Sequence, residues 1–324
     1  MPYDKEFKRP DVKGISARSI DVVVETGDAG PVSAIGINLP NDNSVRENHG
    51  SKSVSLANVE EASVGAIGTR SLGEFCWDEA EIARAERWGR LTSNLLTNMH
   101  EVIGHASGRQ ALDHQGDHAT WIKEYSSALE EARADLVALY FMMDPKLAEL
   151  GLLEDPQEGA LAAYEAYTRN GGLQQLRRVK TGDQIEQDHM RNRQMVVRWI
   201  LKNSNAIEER VRDGKHYLVV RDAKAWRDAS GKLLNLVQRI KSTGDYAGAK
   251  ALFDEHGLKF DPALRDEVVK RYEALGVPSY IGYVMPRLTP VQDKKGKIVD
   301  VAISYPMSLE QQMLEWSGRR EPPN

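Results

Sequence analysis

The stretch "NMHEVIGHASG", residues 98–108, sets two histidines around a glutamate, and their spacing decides how the helical part of this chain is read. Histidines four apart on a helix leave the same face and can share a metal, with a Glu between them as base. His100 and His105 are five apart. On a regular α-helix of about 3.6 residues per turn they would point roughly 140° away from each other, too far round to hold one ion. A single wide turn of about 4.4 residues brings them back to within roughly 50°. Gly104, just before the second histidine, eases such a turn because it carries no Cβ. With the wide turn in place both imidazoles can ligate as neutral donors, and Glu101 points toward the open coordination position as a base.

A metal needs a third protein ligand, and the next helical segment, "SSALEEARADLVALYFMM" (residues 126–143), offers one. Trp121, Tyr125, Ala128, Leu129, Ala132, Leu136 and Leu139 form an apolar stripe that packs this helix on a core. Glu131 and Asp135 stand one turn apart at the edge of the stripe, where two buried carboxylates without a cation would be costly. A zinc ion removes the difficulty. Glu131 is then the third ligand, Asp135 orients a ligand imidazole from behind, and Glu130 is a second candidate for that outer role.

Around these motifs lie 324 residues, 41% hydrophobic and 28% charged, enough for one large or two smaller folded domains. The net charge of −5, with both signs interspersed, gives no reason to expect nucleic acid or an anionic membrane as partner. Cys76 is the only cysteine, which excludes an intrachain disulfide and a thiolate zinc knot and suits a reducing compartment. "MPYDKEFKRP" lacks the apolar run of a secretory signal, and no uninterrupted apolar segment of about 20 residues is present. A cytoplasmic location is expected.

The fold class expected is mainly α: a helical zinc-binding catalytic domain over residues 71–284, with residues 1–70 and 285–324 as β-leaning pieces of a second lobe. The β-branched runs "IDVVVET" (20–26) and "VSAIGINL" (32–39) read as strands, as do "KHYLVVRD" (215–222) and "KIVDVAISYP" (297–306). "SLEQQMLEW" (308–316) reads as a short polar helix, and "RNGG" (169–172) as a loop between helices.

"HEVIGH" followed by "EEARAD" resembles the paired motifs of the dipeptidyl peptidase III family of zinc exopeptidases, whose first motif carries an extra residue between its histidines. The resemblance implies that His100, His105 and Glu131 are zinc ligands and Glu101 the general base. The family's second motif usually has Cys and a final Glu, where this chain has Ala132 and Asp135. "GINLPNDNSVRENHGSKSVSLAN" (36–58) looks like the family segment whose two asparagines, here Asn38 and Asn41, bind the substrate backbone. "DHMRNR" (188–193) looks like the helix bearing the active-site histidine, His189, with Arg193 one turn on as a substrate contact.

The resemblance further implies one zinc ion per chain and release of dipeptides from the N-terminus of short oligopeptides. Family members are roughly twice this length, so the chain corresponds to the C-terminal half, and the partner it lacks is the N-terminal lobe across the cleft. The competing expectation is a zinc-containing binding or interaction domain that does not cleave. An intact Glu101 argues against it, because a structural zinc needs no base.

Overall fold

The structure, a computed structural model, describes residues 1–8, 16–24, 36–39, 45, 49, 52–59, 70–111, 118–180, 182, 184–277 and 283–318. Mainly helical as expected, the chain divides into two compact units. One comprises Met1–Ala17, Ile37–Val54 and Thr69–Val277; the other comprises Arg18–Gly36, Ser55–Gly68 and Pro278–Asn324. Strands β1 (Ser16–Ile20), β2 (Gly36–Leu39) and β3 (Lys52–Leu56) form a sheet in the order β1-β3-β2, and each contains a point where the chain passes from one unit to the other.

In the first unit the helices start and stop where the sequence provides caps. α1 spans Arg70–Phe75, and α2 spans Glu79–Met99 with Asp78 accepting the Glu81 amide at its N-terminus. α3 spans Ser126–Phe141. α4 spans Pro156–Gly172, opened by Pro156 and by Asp155, which accepts from Gln157 and Glu158. α5 spans Asp188–Asn203; α6 spans Ala223–Thr243, capped by Asp222 and closed by Gly244 at φ 62°. α7 (Tyr246–His256) and α8 (Pro262–Leu275) follow, α8 ending on Gly276 at φ 61°. Between α5 and α6 the antiparallel strands β4 (Ile207–Arg212) and β5 (Lys215–Val220) pair through a two-residue turn, with Asp213 and Gly214 both at positive φ.

α3 is the hub. It contacts α2, α5 and α6, and its apolar stripe from Tyr125 to Leu139 is buried as the periodicity predicts. Burial extends to Ala134, Val137 and Ala138 as well, because helices cover α3 on several sides rather than one. Beside it, the Trp226 indole of α6 stacks on Tyr164 of α4 at 4.2 Å and donates its N–H to Thr168 Oγ1 at 3.1 Å, so a large buried aromatic keeps its polar atom satisfied.

The second unit contains the antiparallel pair β6 (Arg287–Gln292) and β7 (Ile298–Ser304), followed by α9 (Leu309–Trp316) with a capping box between Ser308 and Gln311. Leu288 pairs with Ile303 and Pro290 with Val301.

Two expectations are corrected. "IDVVVET" is not a strand over its described residues beyond Ile20, since the backbone of Val22 is bonded through both N–H and C=O to the side-chain amide of Asn58, in place of a ladder partner. "RNGG" is the last turn of α4 rather than a loop, for Gly171 lets Arg193 of α5 approach so closely that an added Cβ would lie 2.8 Å from its carbonyl oxygen. Glycine there serves helix packing, a use that local sequence does not distinguish from a break.

Candidate metal centre

α2 does not end at Met99 but widens into a π-turn over His100–Gly104, in which the His105 N–H donates to the His100 carbonyl at 3.0 Å. Five-residue spacing thereby becomes one turn. The two imidazoles stand edge to face with centroids 4.7 Å apart. One ligand atom each of His100, Glu101 and His105 lie within 4.8 Å of one another, the only such metal-competent cluster among the described residues. Gly104 has a role beyond easing the turn: a Cβ on it would meet Cα, Cβ and O of Ala134 at 2.9 Å, so its absence admits α3 against the wide turn.

α3 supplies the carboxylates. His100 Nδ1 lies 2.7 Å from Asp135 Oδ1, and His105 Nδ1 lies 2.8 Å from Glu130 Oε1. The reach of the shorter Asp135 side chain is therefore sufficient. Its other oxygen, Oδ2, accepts from the Tyr167 hydroxyl of α4 at 2.8 Å. Burial opposes charge on Asp135, but the bond and charge of His100, the charge of Arg193 and the Tyr167 hydroxyl outweigh it and draw the carboxyl down to about 2. Glu130 is partly buried, which opposes its charge, yet Arg133, Lys241 and His105 hold its carboxyl well below the usual range. Arg133 donates to Glu130 from Nε at 2.9 Å and from Nη2 at 2.6 Å, and the Lys241 ammonium makes a third contact.

These bonds fix the histidines' tautomers. An ionised carboxylate only accepts, so each Nδ1 must donate, and in the neutral imidazole Nε2 then keeps its lone pair. Glu131 Oε2 lies 3.2 Å from His100 Nε2 without the alignment of a hydrogen bond, and it is buried. Two electron pairs at that distance repel unless a positive charge sits between them. A proton on Nε2 is one such charge: burial would lower the pKa of His100, but Asp135 and Glu131 together raise it to about 10, and a metal cation in the same place would displace that proton. The donor set of two imidazole nitrogens and a carboxylate fits a zinc-type cation with an open position.

His189 of α5 is half-exposed, with Nδ1 3.5 Å from Glu131 Oε2, so it borders the cluster from a third helix. Arg193 acts electrostatically on Asp135 and Tyr167. Asn41 lies outside the described residues, and Asn38 falls in β2 with its side chain outside them.

A profile of peptidase family M49 matches residues 1–121 and 113–273. The chain belongs to peptidase family M49. Dipeptidyl peptidase 3 from Mus musculus is 25% identical over 318 residues, a match covering 85% of this M49 chain and 42% of the mouse protein. This chain thus spans less than half the length of that relative. Among solved structures, dipeptidyl peptidase III from Caldithrix abyssi has a TM-score of 0.66 at 24% identity, covering 86% of this chain and 50% of its own. The dipeptidyl-peptidase III from Corallococcus sp. strain EGB has a TM-score of 0.69 at 21% identity, covering 86% and 48%. Both likenesses bear on the fold.

Three residues of this M49 site escaped the sequence. Arg133 had a signal, since it stands three residues after Glu130 on the same helix face. Tyr167 and Lys241 had none, because they approach the carboxylates from α4 and α6, 32 and 111 positions away.

Proposed function

We propose that this chain is the catalytic half of a zinc-dependent peptidase that releases dipeptides from the N-terminus of short oligopeptides in the cytoplasm. The observation that carries the reading is the pair of carboxylate-held imidazoles that lie with Glu101 in one cluster of ligand atoms within 4.8 Å, while Glu131 Oε2 stands 3.2 Å from His100 Nε2. His100, His105 and Glu131 would hold one zinc ion, with Asp135 and Glu130 orienting the imidazoles. Zinc supplies Lewis-acid polarisation of the scissile carbonyl and of the attacking water. Glu101 takes the proton of that water and delivers it to the leaving amine. His189, at the rim, donates to the oxyanion as charge develops there. Asn38 and Asn41 bind the substrate backbone, and Arg193 holds substrate on the α5 side.

The competing reading is a zinc-containing binding domain without cleavage. Hydrolysis of a fluorogenic dipeptide amide with a free amino end, by this chain and by the same chain with Glu101→Gln, separates the two. Turnover that Glu101→Gln abolishes supports the peptidase; zinc binding with no turnover in either favours the binding domain.

A further inference from the structure

We propose that Lys241 is a positioning residue of the metal centre: from the last turn of α6, outside both motifs, its ammonium holds the Glu130 carboxylate in the orientation that receives Nδ1–H of His105. The proposal rests on the zinc reading above.

The two histidines are supported differently. Behind His100 stands Asp135, whose second oxygen meets a neutral phenol, Tyr167. Behind His105 stands Glu130, and both of its oxygens meet cations: Oε1 accepts from His105 Nδ1 and from Arg133 Nη2, while Oε2 accepts from Arg133 Nε and from Lys241. Arg133 grips both oxygens with Nε and Nη2, while its Nη1 donates to the carbonyl and hydroxyl of Ser107, each at 2.8 Å, and its Nη2 also faces the His105 carbonyl at 3.3 Å. It is fully buried, belongs to the same helix as Glu130 and is anchored to Ser107 and the His105 carbonyl, so it fixes the carboxylate relative to α3 and that neighbouring segment. Lys241 approaches from a different helix. A carboxylate gripped from two helices cannot swing about its χ3 bond away from His105.

The position of this outer contact matters because an imidazole is a good zinc ligand only when its ring is oriented and its proton sits on the far nitrogen. Loss of Lys241 leaves Oε2 with Arg133 Nε alone, so the carboxylate can tilt with the Arg133 fork and carry Oε1 out of line with His105 Nδ1. His105 then loses its acceptor on Nδ1, and with it the preference for donating from Nδ1 and ligating through Nε2. A lysine in the last turn of a helix also has a bland use, stabilising the helix end by its charge. That use would not involve His105 or a metal.

The test compares zinc affinity, measured by competition with a chromophoric chelator, for the unsubstituted protein, Lys241→Met, Lys241→Arg, Glu130→Gln and the double variant Glu130→Gln/Lys241→Met. Thermal midpoints are taken without metal. Lys241→Met is expected to weaken zinc about tenfold, in the range that outer contacts to ligand histidines carry. Lys241→Arg should restore most of the affinity, and the double variant should be no weaker than Glu130→Gln alone. Zinc affinity unchanged in Lys241→Met, with a lowered midpoint, would assign Lys241 to the helix end and overturn the proposal. An additive double variant would overturn it as well. Failure of the zinc reading is recognised separately: the unsubstituted protein would not bind the ion, or Glu131→Ala would bind it equally well.

Discussion

The amide of His105 donates to the carbonyl of His100 across a five-residue turn, so the spacing that sets these two side chains apart on an ordinary helix is what lets their rings meet 4.7 Å apart. The helix changes its pitch for one turn and the metal pair follows from that change.

Gly104→Ala should destabilise the protein by about 1–3 kcal/mol, the usual cost of forcing an extra methyl into a packed contact. The methyl would press on the Ala134 backbone as well as its side chain, so Gly104→Ala/Ala134→Gly should recover only part of the loss. Chemical denaturation of the unsubstituted protein and the two variants measures this. Full tolerance of Gly104→Ala would mean that α2 and α3 can separate without cost.

Glu131→Ala should lower zinc occupancy, because it removes a carboxylate that lies 3.2 Å from His100 Nε2 and 3.5 Å from His189 Nδ1. Glu101→Gln should keep the ion and lose most peptidase turnover. Elemental analysis reads the first, and steady-state kinetics the second. Equal zinc in Glu131→Ala would transfer the third ligand position to Glu101, whose carboxylate lies within 4.8 Å of ligand atoms of both imidazoles.

Tyr167→Phe should cost about 1–3 kcal/mol, the penalty for leaving a buried acceptor without its donor. The orphan would be Asp135 Oδ2. Because Asp135 in turn holds His100, the variant should also bind zinc more weakly.

Cys76 is buried, and burial pushes its thiol up to about 12. At pH 8 the thiolate fraction is on the order of 10⁻⁴, so alkylation should be negligible in the folded protein and rapid once it unfolds. The sign of the linkage follows: a thiol raised from an ordinary value near 9 contributes stability at lower pH that is lost as pH climbs from about 9 toward 12. Replacing Cys76 with Ala should flatten that alkaline arm of a pH–stability profile.

Much of this site was legible in the sequence because its ligand types recur at helical spacings. "HEVIGH" and "EEARAD" each sit on one helix, and the geometry of a helix says which side chains share a face. The wide turn could be inferred because the alternative put His100 and His105 on different faces. The contacts of Tyr167 and Lys241 could not, since they depend on how α4 and α6 pack against α3, and no local pattern encodes that. The same limit explains the misreading of Gly171, whose neighbour Arg193 belongs to another helix. Val22 failed for a related reason: a side chain, Asn58, occupies the place of a strand.

The wide turn also predicts where the polypeptide breathes. A π-turn has poorer backbone geometry than the regular helix preceding it, so the His105 amide should be among the first in this helix to open and exchange with deuterium. An ion shared by the imidazoles at both ends of that turn would act as a clasp across it. Amide exchange at residues 100–105 should therefore slow on adding zinc by more than exchange in the middle of α2, which makes the local opening rate a reporter of metal loading that needs no substrate.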